Sequence, residues 1–312
     1  MLGFLARRVG AAVVLVFVIS SLTFVLLHLT GGNPARNIVG QTATAEQEAA
    51  KAAELGLDQP VLSQYATWLG HLVRGDLGSS WFTGQPVSST IGNALPVTMS
   101  IVLAGLLLSA VVSVLLGVAA AVRGGWLDRL LQVVSVVGFA LPSFLVALVL
   151  ALFVAVEWGL LPATGYTALA EDPSAWLESI VLPAVSLAIG AIAATAQQVR
   201  GSMLDVLRRD YVRTLRARGL KTSSILYKHA LRNAAPPALT VLSLQFIGLI
   251  GGAVVVEKVF GLAGIGSAAL STASQGDQPV VLGIVLVTVV LIAVVNVLVD
   301  LAHGWLNPKV RV

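Results

Sequence analysis

The sequence contains no cysteine and very little charge. Without cysteine it has no disulfide framework, no cysteine-based metal site and no thiol nucleophile. The four histidines have no spacing typical of metal ligands, so we expect no metal site; they are His28, His71, His229 and His303. Charged residues make up only 11% of the chain, whereas soluble domains have about a quarter. Because 57% of the residues are hydrophobic, polar groups cannot cover the surface in water, and the lipid bilayer is the expected solvent.

Six long stretches lack lysine, arginine, aspartate and glutamate; they are 9–35, 77–122, 130–156, 179–199, 233–256 and 278–299. Each has at least 21 residues, and a helix needs about 20 to cross the hydrocarbon core. Only helices and closed barrels satisfy their backbone inside lipid, and these stretches lack the alternation of barrel strands. The sequence therefore predicts an all-α, polytopic membrane protein with six spanning helices. We expect a kink in the third, where Pro142 removes a backbone donor.

Lysine and arginine predict the orientation of these helices. If the N-terminus is cytoplasmic, the inside segments hold 15 of the 19 basic residues, including Lys309 and Arg311. Cytoplasmic loops carry such an excess, so we expect both termini in the cytoplasm. The first span resembles the start of a secretory signal, but its apolar run is long and no convincing cleavage site follows it, so we expect it to be retained.

The chain divides into 1–94, a first spanning helix with an external segment, and 95–312, five spanning helices with a cytoplasmic segment at about 201–235. Within the external segment, residues Thr44–Leu57 and Val61–Val73 have helical patterns. We interpret the second as an amphipathic helix that rests on the membrane surface with Trp68 at the interface, or that contacts a partner protein. The glycine-rich stretch 259–276 is expected to be a surface loop or a partly re-entrant segment that lines a cavity.

The cytoplasmic segment after the fourth span is strongly basic and is interrupted by Gly219. Apolar residues recur at helical spacing on both sides of this glycine, namely Val206, Leu207, Val212, Leu215, Leu220, Ile225, Leu226 and Leu231. The charge alone is explained by topology, because basic residues hold a loop in the cytoplasm and contact anionic lipid. The apolar pattern also predicts two short helices joined at the glycine, which suits docking into a groove on a soluble partner. The patch is short and has few aromatic residues, so we expect no nucleic-acid binding.

Two motifs in this segment, YVRTLRARGL (Tyr211–Leu220) and HALRNAAPP (His229–Pro237), resemble the EAA loop of ABC importer permeases. They are most similar to the B-type subunits of dipeptide and oligopeptide permeases. Arg213, Thr214 and Leu215 stand where the family pattern has Glu-Ala-Ala, and Gly219 is retained. Further matches follow in order along the chain, among them LGLDQP (Leu55–Pro60), RGDLGSS (Arg74–Ser80), ALPSF (Ala140–Phe144), LPATGY (Leu161–Tyr166), GGAVVVEKVFGLAGIG (Gly251–Gly266) and VDLAHGWLNPKVRV (Val299–Val312).

The resemblance implies a type I ABC importer permease fold in the bacterial inner membrane. It also implies that the cytoplasmic segment docks on an ATP-binding subunit through Tyr211, Arg213, Thr214, Leu215, Arg216, Ala217, Arg218, Gly219, His229, Leu231, Arg232 and Asn233. The implied partners are a second homologous permease of the C-type, two ATP-binding-cassette subunits or domains, an extracytoplasmic substrate-binding protein, and membrane lipid. This chain has no Gly-x4-Gly-Lys-Ser/Thr loop. We therefore expect it to bind no cofactor, with ATP and Mg²⁺ bound by the partner subunits.

Five residues are candidates for the translocation path or its gate: Pro142, Gln245, Gly251, Gly252 and Glu257. Glu257 follows the fifth apolar stretch, where a charge is costly unless it is paired or wet. Its carboxylate therefore has a gating role, or it is an interfacial group that faces water. The two glycines permit close helix packing or bending, and Gln245 faces either the pore or a neighbouring helix.

The sequence also has no convincing nucleophile–base–acid set, so we do not expect an enzyme. The resemblance implies one half of a translocation path for dipeptides or oligopeptides. Similar permeases carry nickel chelates, glutathione or other small solutes, and these substrates stay open. An ion-coupled secondary transporter is the alternative of another class, but such proteins place ionisable residues within their spans and the six stretches contain none.

Overall fold

The computed structural model describes residues 2–30, 32–40 and 42–306, and this part of the chain is almost entirely helical. The helices are α1 (Leu2–Thr30), α2 (Pro34–Val39), α3 (Ala45–Glu54), α4 (Val61–Val73), α5 (Val87–Arg123), α6 (Gly125–Ala140), α7 (Ser143–Val149), α8 (Pro173–Leu207), α9 (Asp210–Ala217), α10 (Thr222–Ser224), α11 (Leu231–Val259), α12 (Ile265–Gln275) and α13 (Gln278–Leu306). Helix α7 continues as π-helical turns over Leu150–Glu157, and α10 continues likewise over Ile225–Ala230 into α11. Lys309 and Arg311, counted among the inside basic residues, lie outside the described residues.

Five helices are long and apolar enough to cross a membrane, and they are Gly10–Leu29, Val87–Arg123, Pro173–Leu207, Thr222–Val259 and Gln278–Trp305. The remaining predicted span, the third in chain order, consists of two helices. These are α6 and α7 with its π-helical extension, and they meet at an angle of 93°. The bend falls at Leu141–Pro142, where the proline cannot donate a backbone hydrogen bond and its neighbour Leu141 is extended, with φ −80° and ψ 117°. The all-α polytopic prediction is confirmed, and the predicted kink at Pro142 is a full break.

The stretch 259–276 is mostly helical, so the expectation of a surface loop is wrong for most of its length, whereas the alternative of a partly re-entrant segment stays a prediction. Helix α12 occupies Ile265–Gln275, and its first two residues are buried. Three of the four glycines in this stretch lie outside the helix, at 261, 264 and 276. Gly261 (φ +60°) lies in the preceding turn, and Gly276 (φ +84°) ends α12 in the left-handed conformation that glycine adopts without steric cost.

The chain forms two compact units, and both α5 and α13 contribute to each of them. One unit contains 2–96 and 263–293. There the start of α5 packs on α13, with Val87 and Ile91 against Val280 and Ile284. The buried carboxylate of Asp277 accepts hydrogen bonds from the Ser80 hydroxyl at 2.5 Å and from the Trp81 backbone N–H at 3.2 Å, and so holds the segment before α5.

Helices α3 and α4 of the same unit lie where the sequence predicts them. Thr44 and Gln47 form a reciprocal capping box at the start of α3. Helix α4 turns Trp68 towards Phe24 of α1 and Tyr65 of its own helix, with ring centroids 6.4 Å and 5.9 Å away. This aromatic cluster attaches the amphipathic helix to the first span.

The other unit contains 97–262 together with 294–306, and α8 packs there against α6, α7 and α11. Helix α5 approaches α8 through small residues, because the Ser113 hydroxyl donates to the carbonyl oxygen of Ile192 at 3.1 Å. Gly117 lies so close to α8 that an added Cβ would be 2.8 Å from the carbonyl oxygen of Ala196. Glycine and serine at four-residue spacing let two spanning helices approach closely, since no side chain separates their backbones.

Candidate functional site

The basic segment that contains Gly219 forms a compact turn of helices at the end of α8. Helix α9 starts three residues after α8 ends and stops at a glycine turn. The backbone N–H of Gly219 donates to Arg216 and that of Leu220 donates to Leu215, at 2.9 and 3.3 Å, and Gly219 has φ +76°. This pairing is a Schellman cap, which needs a residue in the left-handed region. The predicted sharp turn at Gly219 is confirmed.

The apolar side chains of this segment face the protein itself. Val212 and Ile225 are fully buried, and Tyr211 and Leu226 pack at the edge of a cluster built from α5, α8 and α11. Its buried members are Val118, Val199, Met203, Val206, Ala230, Ala234 and Ala238. The hypothesis that this segment docks into a groove on a soluble partner stays a prediction, but the buried part of its apolar stripe, Val212 and Ile225, is not free to contact such a partner. The ends of the spanning helices already cover that part of the stripe.

The opposite face of α9 and its turn is exposed and basic. Its exposed members are Arg213, Thr214, Arg216, Ala217, Arg218 and Gly219, whereas Leu215 is half-buried. The Arg213 side chain is 75% exposed and lies 3.5 Å from Asp210, whose side chain is 95% exposed. Lys221, Lys228 and Arg232 are exposed as well. A partner that binds this face would contact arginine and lysine side chains. The opposite face of α9 is held in place because Val212 is buried against the protein.

Asn233 joins the two arms of the segment. Its side-chain amide donates to the Tyr211 hydroxyl at 3.2 Å and to the backbone carbonyl of His229 at 2.8 Å. His229 and Leu231 are half-buried, and Arg232 beside them is exposed. The structure therefore brings the two predicted motifs together, because the first residue of one and the fifth of the other share a hydrogen bond. These two hydrogen bonds connect α9, which follows the end of α8, to the start of α11.

The five candidates for the translocation path fall into two groups. Gly252 lies beside the break at Pro142, because a Cβ added to it would be 3.2 Å from Leu187 Cδ2 and 3.6 Å from Ser143 Oγ. Gly251 and Pro142 are exposed there, and half-buried Gln245 lies about 9 Å further down the α11 axis, as six residues at 1.5 Å each predict. The helix break and the α11 glycines therefore share one neighbourhood.

Glu257, five residues beyond Gly252 on α11, differs from the other four candidates because it is fully buried. Its side chain is 0% exposed, and its Oε1 accepts a hydrogen bond of 2.5 Å from the Thr98 hydroxyl. The alternative that this carboxylate faces water is wrong. A buried carboxyl group is costly without hydrogen bonds, and the hydroxyl of α5 supplies one. Thr98 gave no sign in the sequence, because the pairing depends on how two distant helices pack.

Sequence reasoning also singled out neither Asp128 nor Arg200, which form an ion pair between α6 and α8. The available signal was weak. Asp128 is one of few acidic residues among the basic residues assigned to the inside, and Arg200 is the first cation after an uncharged span. Spacing alone could not pair them, since they are 72 positions apart.

Comparison with known proteins gives two family matches that together cover most of the chain. Residues 113–312 match the family described as "Binding-protein-dependent transport system inner membrane component". Residues 1–102 match the N-terminal part of such membrane components. The basic segment, the broken span and the α11 candidates all lie in the first of these matches.

Individual relatives match from end to end. A protein of Sinorhizobium fredii named "Probable peptide ABC transporter permease protein y4tP" is 37% identical over 99% of both chains. The "Di/tripeptide transport system permease protein DppB" of Pseudomonas aeruginosa is 35% identical over all of this chain and 99% of its own. The "Glutathione transport system permease protein GsiC" of Salmonella typhimurium is 33% identical, again over all of this chain and 99% of its own. The alternative of an ion-coupled secondary transporter is not supported, because the matched family is a binding-protein-dependent transport system. This chain therefore belongs to the binding-protein-dependent transport system inner membrane components, the multi-pass permease subunits of ABC importers.

Proposed function

We propose that this permease carries short peptides, and that the segment Tyr211–Asn233 is the site where an ATP-binding-cassette subunit docks. Support for the substrate comes from the relatives, since two are named for peptides or di- and tripeptides. A third is named for glutathione, which is itself a tripeptide. Nickel chelates and unrelated small solutes have no such support.

The observation that carries the docking proposal is that one face of α9 is buried against the protein while the opposite face is exposed. Val212 is 0% exposed on one side, and Arg216 and Arg218 are exposed on the other. A segment that transmits movement from a partner subunit needs an exposed face for the partner to bind and a buried face that is packed against the spanning helices. The basic free surface suits an acidic groove, because complementary charge steers encounter and fixes register.

The importer assembly then consists of this chain, a homologous C-type permease, two ATP-binding-cassette subunits or domains and an extracytoplasmic binding protein. ATP and Mg²⁺ are bound by the cassette subunits, and this chain is not itself catalytic. Nucleotide shifts the permease between inward- and outward-facing arrangements only if the two bind it with different free energy. Moving such an equilibrium from 1:99 to 99:1 takes about 5.5 kcal/mol, which must pass through the docked segment.

In the proposed orientation both termini and Tyr211–Asn233 are cytoplasmic, in the inner membrane of a bacterium. The absence of native cysteine allows single cysteines to be labelled without background. In intact cells an impermeant maleimide should label exposed Asp58→Cys and spare exposed Ala217→Cys. Labelling of the second and not the first would reverse the orientation and remove the docking proposal.

The docking test uses the complex reconstituted in proteoliposomes with its binding protein. The double charge reversal Arg216→Glu with Arg218→Glu should release the cassette subunits on purification and abolish ATP-driven uptake of a labelled dipeptide. The matched control is Arg129→Glu, which reverses an exposed cation near the start of α6. Normal retention and uptake in the double variant contradict docking through this face. Dipeptide uptake that stays absent in an assembled, ATP-hydrolysing wild-type complex contradicts the substrate.

A further inference from the structure

The Asp128–Arg200 ion pair joins α6 to α8 at the end of α8 that carries the docking segment. The Arg200 guanidinium donates from Nη2 to Asp128 Oδ2 at 2.7 Å and from Nε to Oδ1. Gln132, one turn further along α6, also donates to Asp128 Oδ2 at 3.0 Å. The two charged side chains are only 20% and 21% exposed. A two-point arginine–carboxylate pair fixes orientation as well as distance, which a single contact between point charges does not.

Arg200 is rigidly connected to the docking segment. Helix α8 runs unbroken from Arg200 to Leu207, and seven residues at 1.5 Å each place its end about 10 Å further along the axis. Met203 and Val206 between these points are buried in the cluster that also packs Tyr211 of α9. A displacement of α9 should therefore also displace Arg200, because α8 connects the two.

Asp128 is connected in the same way to the break at Leu141–Pro142. It lies in the first turn of α6, which continues to Ala140 and ends where α7 turns away by 93°. Ser143, the first residue of α7, is next to Gly252 on α11. A displacement of Asp128 along α6 therefore reaches the neighbourhood of the candidate translocation path.

Packing between α6 and α8 is incomplete next to the pair. A cavity of about 190 Å³ lies along this interface, and apolar side chains of α5, α6 and α8 line it, including Leu116, Val134 and Ile192. Contact resumes at Gly138, where an added Cβ would be 3.3 Å from Ala193 Cβ. Beside the cavity, Leu131 of α6 is buried against Ala196 of α8 and Ala120 of α5, so apolar contacts hold this part of α6 against α8. The ion pair fixes one end of it.

We propose that Asp128 and Arg200 are positioning residues that pass the movement of the docked segment to α6 and to the broken span. The proposal rests on the proposed docking function. When the cassette subunits move α9, Arg200 pulls Asp128, α6 pivots over the cavity, and α7 shifts against α11. Without the pair the docked segment still moves, but α6 follows it less closely, because apolar contacts such as Leu131 with Ala196 then hold the two helices together without fixing their orientation.

The test is the ratio of dipeptide taken up to ATP hydrolysed, in the full complex in proteoliposomes. Asp128→Asn keeps the size of the side chain but removes its charge. It should retain the cassette subunits and their basal hydrolysis while uptake per ATP falls by about five-fold or more, the low end of coupling between linked sites. The exchanged pair Asp128→Arg with Arg200→Asp should recover uptake per ATP towards the wild-type value. Arg129→Gln, which neutralises the exposed neighbour, is the matched control and should leave the ratio unchanged.

A purely structural role gives a different result. If Asp128→Asn lowers the apparent unfolding temperature, cassette retention and uptake together, the pair only holds the fold and the proposal is overturned. A second variant guards against misfolding, since Asp128→Leu with Arg200→Met replaces the pair by apolar residues of similar size. Normal uptake per ATP in that folded variant also overturns it. Failure of the docking proposal appears separately, as normal cassette retention and uptake in the variant Arg216→Glu with Arg218→Glu.

Discussion

Substitution of Gly117 by alanine should separate α5 from α8. Its new Cβ would lie 2.8 Å from the Ala196 carbonyl oxygen, from Val199 Cβ and from Val199 Cγ1. Two of these three obstacles belong to the α8 backbone or are fixed to it, so a rotamer change cannot remove them. Forcing extra volume into a packed interface costs about 1–3 kcal/mol. Because the obstacles are rigid we take the upper value, ~3 kcal/mol.

Helix propensity opposes this cost. Alanine is better than glycine inside a helix by about 1 kcal/mol, so the expected net loss is ~2 kcal/mol. The control is Gly201→Ala in α8, where no described atom lies within 4 Å of the new Cβ. That variant should gain up to about 1 kcal/mol, because only the propensity difference remains. The two substitutions are chemically identical, so their opposite signs measure the helix contact alone.

A rescue experiment separates backbone from side-chain obstruction. Adding Val199→Ala to Gly117→Ala should not restore stability, because the carbonyl oxygen and the Cβ remain in place. Gly283→Ala in α13 instead meets the Cγ1 of Val87. Adding Val87→Ala should largely restore that variant, since the obstacle is a side chain.

The assay is unfolding of the purified permease in detergent, by heat or by steric trapping, with uptake measured in parallel. An unchanged or raised midpoint for Gly117→Ala, equal to that of Gly201→Ala, would refute the close approach of α5 and α8. Recovery of Gly117→Ala by Val199→Ala would refute the assignment of the obstacle to the backbone.

Three further outcomes are expected. Gly219→Ala forces a side chain into φ +76° at a cost of about 1–2 kcal/mol, and uptake per ATP should fall while Gly201→Ala leaves it unchanged. Thr98→Val removes a donor to buried Glu257 and should cost about 1–3 kcal/mol in unfolding experiments, whereas Thr98→Ser should retain most of the stability. The Ser174 hydroxyl, with the backbone N–H groups of Ala175 and Ser174, lowers the pKa of Asp172 below 3.8. Because the folded state favours its carboxylate, this stabilisation is complete above pH 3.8 and disappears as the pH falls through the lowered pKa. An unfolding titration of wild type should show this loss, and Asp172→Asn, which caps α8 without titrating, should lack it.

The segment Tyr211–Asn233 shows which features a local sequence pattern can predict. Gly219 marks a turn because left-handed backbone favours glycine, so the sequence predicts the turn at that position. In contrast, the sequence does not predict whether the apolar stripe faces a partner or the protein itself. Val212 and Leu215 have the same spacing whether they face a partner or their own protein. Only the packing of α9 on the ends of α8 and α11 decides that they face inward, which leaves the arginines as the free surface.

The sequence by itself determines the apolar helices, their number and the family, because lipid demands about 20 uncharged residues per span and such runs are read directly. It also predicts a kink at Pro142, since the missing N–H is a property of one residue. The full break of 93° is decided by the tertiary structure, because other prolines of this chain, such as Pro96 and Pro183, lie inside continuous helices. Tertiary structure alone decides the pairs Asp128–Arg200 and Thr98–Glu257 and the burial of Glu257, which no spacing rule connects. Their members are more than 70 positions apart, and the packing of α6 on α8 and of α5 on α11 brings them together.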